Sequence, residues 1–410
     1  MEASDILIGI VGKTNVGKST FFAAATEVPV KIENRPFVTI DPNVGVAYVR
    51  KRCAHIDLGL AKCDPVNSVC VEGWRFVPVK LIDVAGLVPG AHRGRGLGNR
   101  FLDHVRRADV LLLVVDVSGT TDPEGAPARP GSYDPVEEAK MILREIEEWV
   151  YQNVVRDWDR FARRIDTGGV HDVVGALAQR LSGFGVDRRH VAEALEATGL
   201  GDKKLSHWSS DDLRLFLREV RRRSSPAVIV ANKVDVPGAE ENVKRLREAF
   251  PGIPVIPTSA MAEVILRKAV KAGAIRYIPG DPGFEVIDDS KLDSRTKKAL
   301  DLVRERVLKP WGGTGVVQAL NTAVFEVLGM ILVYPVEDAA KFTDRNGRVL
   351  PDAILVPRGS SPRDLAYRIH TDLGKTFLYA INAKTKQRIG EAYELRDGDV
   401  IKIVAAAAKG

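Results

Sequence analysis

The run Gly12-Lys13-Thr14-Asn15-Val16-Gly17-Lys18-Ser19 constrains this chain more than any other feature. It is a G-x-x-x-x-G-K-[ST] pattern set between the apolar segment Ile6-Leu7-Ile8-Gly9-Ile10-Val11 and the stretch Thr20-Phe21-Phe22-Ala23-Ala24-Ala25. The chemistry of such a loop needs a strand, a sharp Gly-rich turn and a helix start in succession, and all three contexts are legible here. Backbone N–H groups surround phosphate oxygens, the Lys18 amine reaches the terminal phosphates, and the Ser19 hydroxyl ligates magnesium. The loop residues from Gly12 to Thr20 are therefore the candidate phosphate contacts.

Which nucleotide is bound follows from a second motif more than two hundred positions away. Pro226-Ala227-Val228-Ile229-Val230-Ala231 reads as a buried parallel strand that runs into Asn232-Lys233-Val234-Asp235, an N-K-x-D pattern. The Asp235 carboxylate can accept hydrogen bonds from the N1–H and exocyclic amine of guanine, and the Lys233 stem can lie along the base plane. A site built on such a buried acceptor penalises a base that leaves it unpaired by roughly 10²-fold or more. A further strand, Ile253 to Pro257, ends in Thr258-Ser259-Ala260-Met261, where small residues would let the backbone approach the guanine carbonyl.

Two more segments supply the metal and the switch. Val77 to Ile82 reads as a strand that opens into Asp83-Val84-Ala85-Gly86, so Asp83 is the candidate to hold Mg2+ through water and the Gly86 N–H to face the γ-phosphate. Upstream, Thr39 in the run Asn34 to Gly45 is the candidate second hydroxyl ligand, partly by resemblance; it would order its loop only when the γ-phosphate is present.

Together these motifs resemble the Obg-related P-loop GTPases, and most of all their YchF-type branch. The resemblance rests on Gly12 to Ser19, Pro36 to Gly45, Asp83 to His92 with Gly94, Gly96 and Gly98 after it, Asn232 to Asp235, and the C-terminal portion. It implies an α/β fold: a Ras-like G domain with a mostly parallel sheet, an inserted helical domain, and a C-terminal β-grasp module of the TGS type. It also implies a GTP-hydrolysing switch associated with RNA or the ribosome. The ATP-preferring members of the branch alter the base-reading motif, whereas Lys233 and Asp235 are both kept here, which implies GTP rather than ATP. Leu87 occupies the position where many regulatory GTPases carry a Gln that orients the attacking water. Intrinsic turnover is therefore expected to be slow, and a nucleotide-sensing RNA-binding module with negligible hydrolysis stands as the alternative. Asn15 is open to two readings: by resemblance it could coordinate K+ between the β- and γ-phosphates, or it could merely support the loop turn. His92 is a weaker candidate for positioning water.

With 410 residues, two or three domains are expected. Helical periodicity at Ile142, Ile146, Trp149, Val150 and Val154, at Val174 to Leu181, and at Leu213 to Val220 predicts an inserted helical domain over 121–225. It would divide a G domain into 1–120 and 226–330, with a ββαββ unit over 331–406. No apolar run is long enough to span a bilayer, and no basic-apolar leader opens the sequence, so a cytoplasmic protein, a monomer without membrane contact, is expected.

A net charge of +6 and a pI near 9.1 fit a polyanionic partner such as ribosomal or transfer RNA. The arginines bunch at Arg93 to Arg107, Arg163-Arg164, Arg188-Arg189 and Arg221 to Arg223, although any single pair is better read as a solvated face balanced by acids. Cys53, Cys63 and Cys70 are the three cysteines, and His55 lies among them. Three thiols and one imidazole could close a tetrahedral zinc site, but the C-x2-4-C knuckle is lacking, so free thiols in a reducing compartment are the expectation.

Overall fold

The computed structural model describes residues 5–27, 44–84, 105–168 and 172–406. Seven strands build the main sheet: β1 (Leu7–Val11), β2 (Val44–Arg52), β3 (Val69–Val71), β4 (Trp74–Asp83), β5 (Val110–Asp116), β6 (Ala227–Asn232) and β7 (Val255–Thr258). The order is β2-β4-β1-β5-β6-β7, with β3 joined to the start of β4. Pairings β4/β1, β1/β5, β5/β6 and β6/β7 are parallel; β2 and β3 run antiparallel to β4.

The central strands read as continuous apolar runs because both of their faces are covered. Alternate residues of β5 serve different layers: Leu112 and Val114 join Ile8, Ile10, Ala24, Ala260 and Leu320 on one face. Leu111, Leu113 and Val115 join Ile142, Ile146, Val243 and Leu246 on the other. The covering helices are Lys18–Thr26, Ala260–Lys271 and Val316–Asn321 on the first side, and Ala239–Ala249 with the first half of Pro135–Val155 on the second. A short ribbon, β8 (Ile275–Arg276) with β9 (Glu285–Val286), lies beyond β7 in sequence.

The long helix Pro135–Val155 leaves the sheet partway along its length. Its Tyr151 and Val154 enter a separate helical core with Trp158, Phe161, Leu177, Leu195, Trp208 and Phe216. Trp208 packs edge-on to Phe216 at 5.0 Å between centroids, and Ser209 and Asp187 each close a capping box at a helix start. The stretch expected to open the helical insertion at 121 thus includes half a helix that buries its apolar residues against the main sheet.

The C-terminal module is a five-stranded sheet of order β11-β10-β14-β12-β13, from β10 (Met330–Pro335), β11 (Ile354–Pro357), β12 (Phe377–Asn382), β13 (Gln387–Ile389) and β14 (Val400–Ala405). Its helix Pro362–Ile369 has Pro in the first turn and a Ser361/Asp364 capping box. The helix breaks at His370, which is extended and caps the next short helix, Thr371–Lys375, by accepting from the Asp372 N–H. The module does not float free: Tyr334, Val336, Leu350, Leu355 and Val400 share one core with Val49, Cys53, Ala54 and Leu320. Among the described residues, no helix is long and apolar enough to cross a membrane.

Candidate functional site

Parallel strands deliver their functional residues at their carboxyl ends, and here five of them do so at one edge. β1 ends in the phosphate loop, β4 in Asp83, β5 in Asp116, β6 in Asn232 and β7 in Thr258. The loop turns with Asn15 at φ 61° and Gly17 at φ 101°, and the helix begins as the Phe21 N–H donates to Gly17 O at 2.8 Å. Only glycine fits at position 17. Its backbone is left-handed, and a Cβ there would fall 2.3 Å from the Asn232 amide nitrogen.

That amide is the joint of the site. Asn232 Nδ2 donates to Val16 O at 2.8 Å, and Asn232 Oδ1 accepts from the Ala260 N–H at 3.1 Å. One side chain thereby ties the phosphate loop, the N-K-x-D turn and the segment after β7. Ser259 Oγ donates to Asp235 Oδ1 at 2.8 Å, so the predicted base-reading carboxylate is oriented by the predicted third base segment. Lys233, at φ 70°, places its amine 2.8 Å from Asp116 Oδ2 and 3.1 Å from Thr120 Oγ1. Ala260 is buried, whereas the Met261 side chain points away, 55% exposed.

At the phosphate end, Lys18 Nζ donates to Lys13 O at 2.6 Å, so its ammonium folds back on its own loop. Burial lowers its pKa to about 8, with Asp83 and Glu138 pulling the other way. Ser19 Oγ donates to Asp83 Oδ2 at 3.0 Å, and the other oxygen, Asp83 Oδ1, is buried with no hydrogen-bond partner among the described residues. Burial pushes the Asp83 carboxyl upward, opposed by Ser19 and Lys18. A buried carboxylate oxygen without a partner beside a serine hydroxyl is an oxygen-rich pair that fits a hard divalent cation. Thr39, Gly86, Leu87 and His92 lie outside the described residues.

Sequence reasoning missed how the segment after β5 covers the loop. Thr14 Oγ1 donates to Glu124 O and Asn15 Nδ2 to Gly125 O, each at 2.8 Å. Lys13, fully buried, donates to Thr121 O and Asp122 O and pairs with Glu138 at 2.9 Å. Burial raises the Glu138 pKa against the pull of Lys13. Asp116 anchors the same strap: Ser118, Thr120, Thr121 and Lys233 all donate to it. Although burial works against it, the hydrogen bonds from Lys233 and Ser118 hold this carboxyl below its ordinary range. The signal was present in Asp116 at a strand end and Glu138 early in an otherwise apolar helix face, but neither fits a short motif. The Asn15 amide is thus engaged with the backbone of Gly125 in the covering segment.

With this geometry in view, comparison with known proteins is informative. The family model described as 50S ribosome-binding GTPase matches residues 7–155. The model described as Obg-like GTPase YGR210-like, G4 motif-containing domain matches 230–338, and the TGS domain matches 345–405. A GTP-binding protein of Methanocaldococcus jannaschii is 49% identical over 401 residues, spanning 98% of this chain and 99% of that one. The crystal structure of a GTP-binding protein from Pyrococcus horikoshii OT3 superposes with a TM-score of 0.77 at 42% identity, covering 98% of this chain and 100% of that one. A Bacillus subtilis protein named ribosome-binding ATPase YchF is 30% identical over 252 residues, 60% of this chain and 62% of its own. Relatives matching end to end, the three family models in this order and the superposed fold agree: the chain belongs to the Obg-related P-loop GTPase family, as a YchF-type GTP-binding protein with a C-terminal TGS domain.

Proposed function

We propose that this protein hydrolyses GTP to GDP and phosphate and uses the nucleotide state to switch its association with the ribosome or its RNA. The observation that carries the reading is Asn232, whose one amide links Val16 of the phosphate loop to Ala260 beside the base segment. A pocket for the base and a cradle for the phosphates are thereby held at a set separation, as a nucleoside triphosphate requires.

In this reading the loop N–H groups bind the β-phosphate, and the Lys18 ammonium leaves Lys13 O for the β- and γ-phosphates. Ser19, Asp83 and Thr39 would hold magnesium, which would neutralise charge developing on the phosphates. Asp235 accepts from guanine while Ser259 orients it, and the Gly86 N–H faces the γ-phosphate. Leu87 offers no hydrogen bond to water, which supports slow unaided turnover.

The ribosomal part rests on the names of relatives and on net charge more than on the arginine runs. Arg188 pairs with Asp172, Arg221 with Glu147, and Arg223 with Glu219, so those runs are substantially neutralised within the helical module. Single-turnover cleavage of GTP and of ATP, with and without ribosomal particles, tests the proposal. Cleavage of GTP that ribosomes accelerate is the expected result. Binding without cleavage under every condition would leave a nucleotide-sensing module, and preferential cleavage of ATP would overturn the base assignment.

A further inference from the structure

At the far end of the β2–β4 hairpin, four side chains that the nucleotide chemistry leaves unused come together. Cys53 follows β2, His55 lies on the short helix Ala54–Asp57, Cys63 sits in the irregular stretch 58–68, and Cys70 is in β3. Local geometry sets this gathering. Glu72 and Gly73 both take positive φ in the two-residue turn between β3 and β4, which places Cys70 opposite Arg75. The Cys53 N–H donates to Gly73 O at 2.7 Å. One ligand atom from each of Cys53, His55, Cys63 and Cys70 lies within 4.8 Å of all the others. The C-x2-4-C spacing is missing because a strand end, a short helix, an irregular stretch and a second strand contribute the four side chains in place of one knuckle.

We propose that Cys53, His55, Cys63 and Cys70 form a closed structural zinc site that pins the stretch 58–68 against the C-terminal module.

Three independent observations support it. The first is geometry: with Zn–S bonds of about 2.3 Å, sulfurs at the corners of a tetrahedron sit roughly 3.8 Å apart. Cys53 Sγ and Cys63 Sγ are 3.8 Å apart, as are Cys70 Sγ and His55 Nδ1. Three sulfurs and one imidazole form a soft donor set that suits zinc, and four protein ligands leave no open position for catalysis.

The second is charge. Three thiolates around a divalent ion carry one net negative charge. Arg75 is fully buried, donates to Cys63 Sγ at 3.6 Å and to Leu350 O, and has no ion-pair partner among the described residues. A buried guanidinium needs opposing charge, and the loaded site would add to that of half-buried Asp352, whose carboxyl Arg75 favours in its charged form.

The third is the loop itself. Residues 58–68 contain neither helix nor strand, yet they dock closely. Asp64 N–H donates to Val349 O at 2.8 Å and Val66 N–H to Pro351 O at 2.7 Å, while Asn67 exchanges hydrogen bonds with Ala353 in both directions. A stretch of this length without regular structure needs something other than its own backbone ladder to hold it in one shape.

The test uses the full chain purified from zinc-replete medium and desalted. One zinc per chain by elemental analysis is expected, released by a mercurial that blocks thiols. After exchange, cobalt(II) should show the visible bands of a tetrahedral ion together with thiolate charge transfer. Arg75→Met, which leaves all four ligands in place, should weaken zinc binding by roughly 10- to 100-fold, and His55→Cys should retain the metal. Removing zinc should speed hydrogen exchange in 58–68 and 349–353, while the phosphate loop, roughly 30 Å away along β4, keeps its rates. A protein that arrives metal-free and takes up no cobalt, a Cys53–Cys63 disulfide, iron in place of zinc, or unaltered exchange after chelation would overturn the proposal.

Discussion

At the scale of single residues, Lys18 and Asp235 each make a prediction. Lys18 sits near pKa 8 against an ordinary 10.5 because burial disfavours its ammonium. The unfolded chain then holds more protons between these two values, so nucleotide-free stability should rise with pH from about 8 to 10.5. Phosphates favour the ammonium, so GTP binding near the lower value should take up protons. Calorimetry in two buffers of different ionisation enthalpy reads that uptake, and a buffer-independent enthalpy would exclude it. Lys18→Ala should abolish the uptake along with tight binding. The other group is Asp235, whose Oδ1 is already oriented by Ser259. Asp235→Asn should erase most of a preference worth roughly 10²-fold; competition between GTP and ATP measures it, and unaltered selectivity would move the base reader elsewhere.

At the scale of elements, the strap after β5 was hidden from sequence reading. Thr121 to Gly131 carries the turn residues of a linker, and linkers ordinarily run over the surface. Here the strap is held because Lys13 and Asn15, more than a hundred positions away, donate to its backbone carbonyls and Asp116 accepts from its Thr121 hydroxyl. Gly125 is where it presses hardest: φ is 88°, and a Cβ would fall 1.7 Å from Thr14 Oγ1. Gly125→Ala should therefore lift the strap, costing roughly 1–3 kcal/mol and weakening nucleotide affinity. Chemical denaturation and GDP titration check both effects; a variant with unchanged stability would show that the strap is not packed as described. The strands, by contrast, were legible wherever an apolar run ended in a motif, as at Asp83 and Asn232. β2 was not, since its half-buried Val44-to-Arg52 pattern mixes Arg and Lys with Val.

For the whole molecule, the decisive feature is the core that joins G domain and C-terminal module. Leu350 and Tyr334 are buried among Val49, Cys53 and Leu320, and Lys51 pairs with Asp397 at 2.5 Å across the same seam. Shared burial couples unfolding, so calorimetry should record the two parts melting in one transition, raised as a unit by GDP. Two resolved transitions, only one of them moved by nucleotide, would show the seam to be weak. Charge at this scale is less telling than composition suggested. The arginine runs at 188–189 and 221–223 largely face acids of their own or neighbouring helices, so the formal +6 overstates the free positive surface there.

What the sequence determined alone was the chemistry that depends on contiguous residues. A Gly-rich loop between strand and helix has few alternatives, and an N-K-x-D turn behind it selects its partner, because the first acts through neighbouring backbone atoms and the second through side chains of one short turn. The tertiary structure decided whatever depends on distant segments meeting: Asn232 against Val16, Gly125 against Thr14, and three thiols with an imidazole around one point. No local spacing encodes those meetings, for they follow from strand register and from which apolar faces share a core.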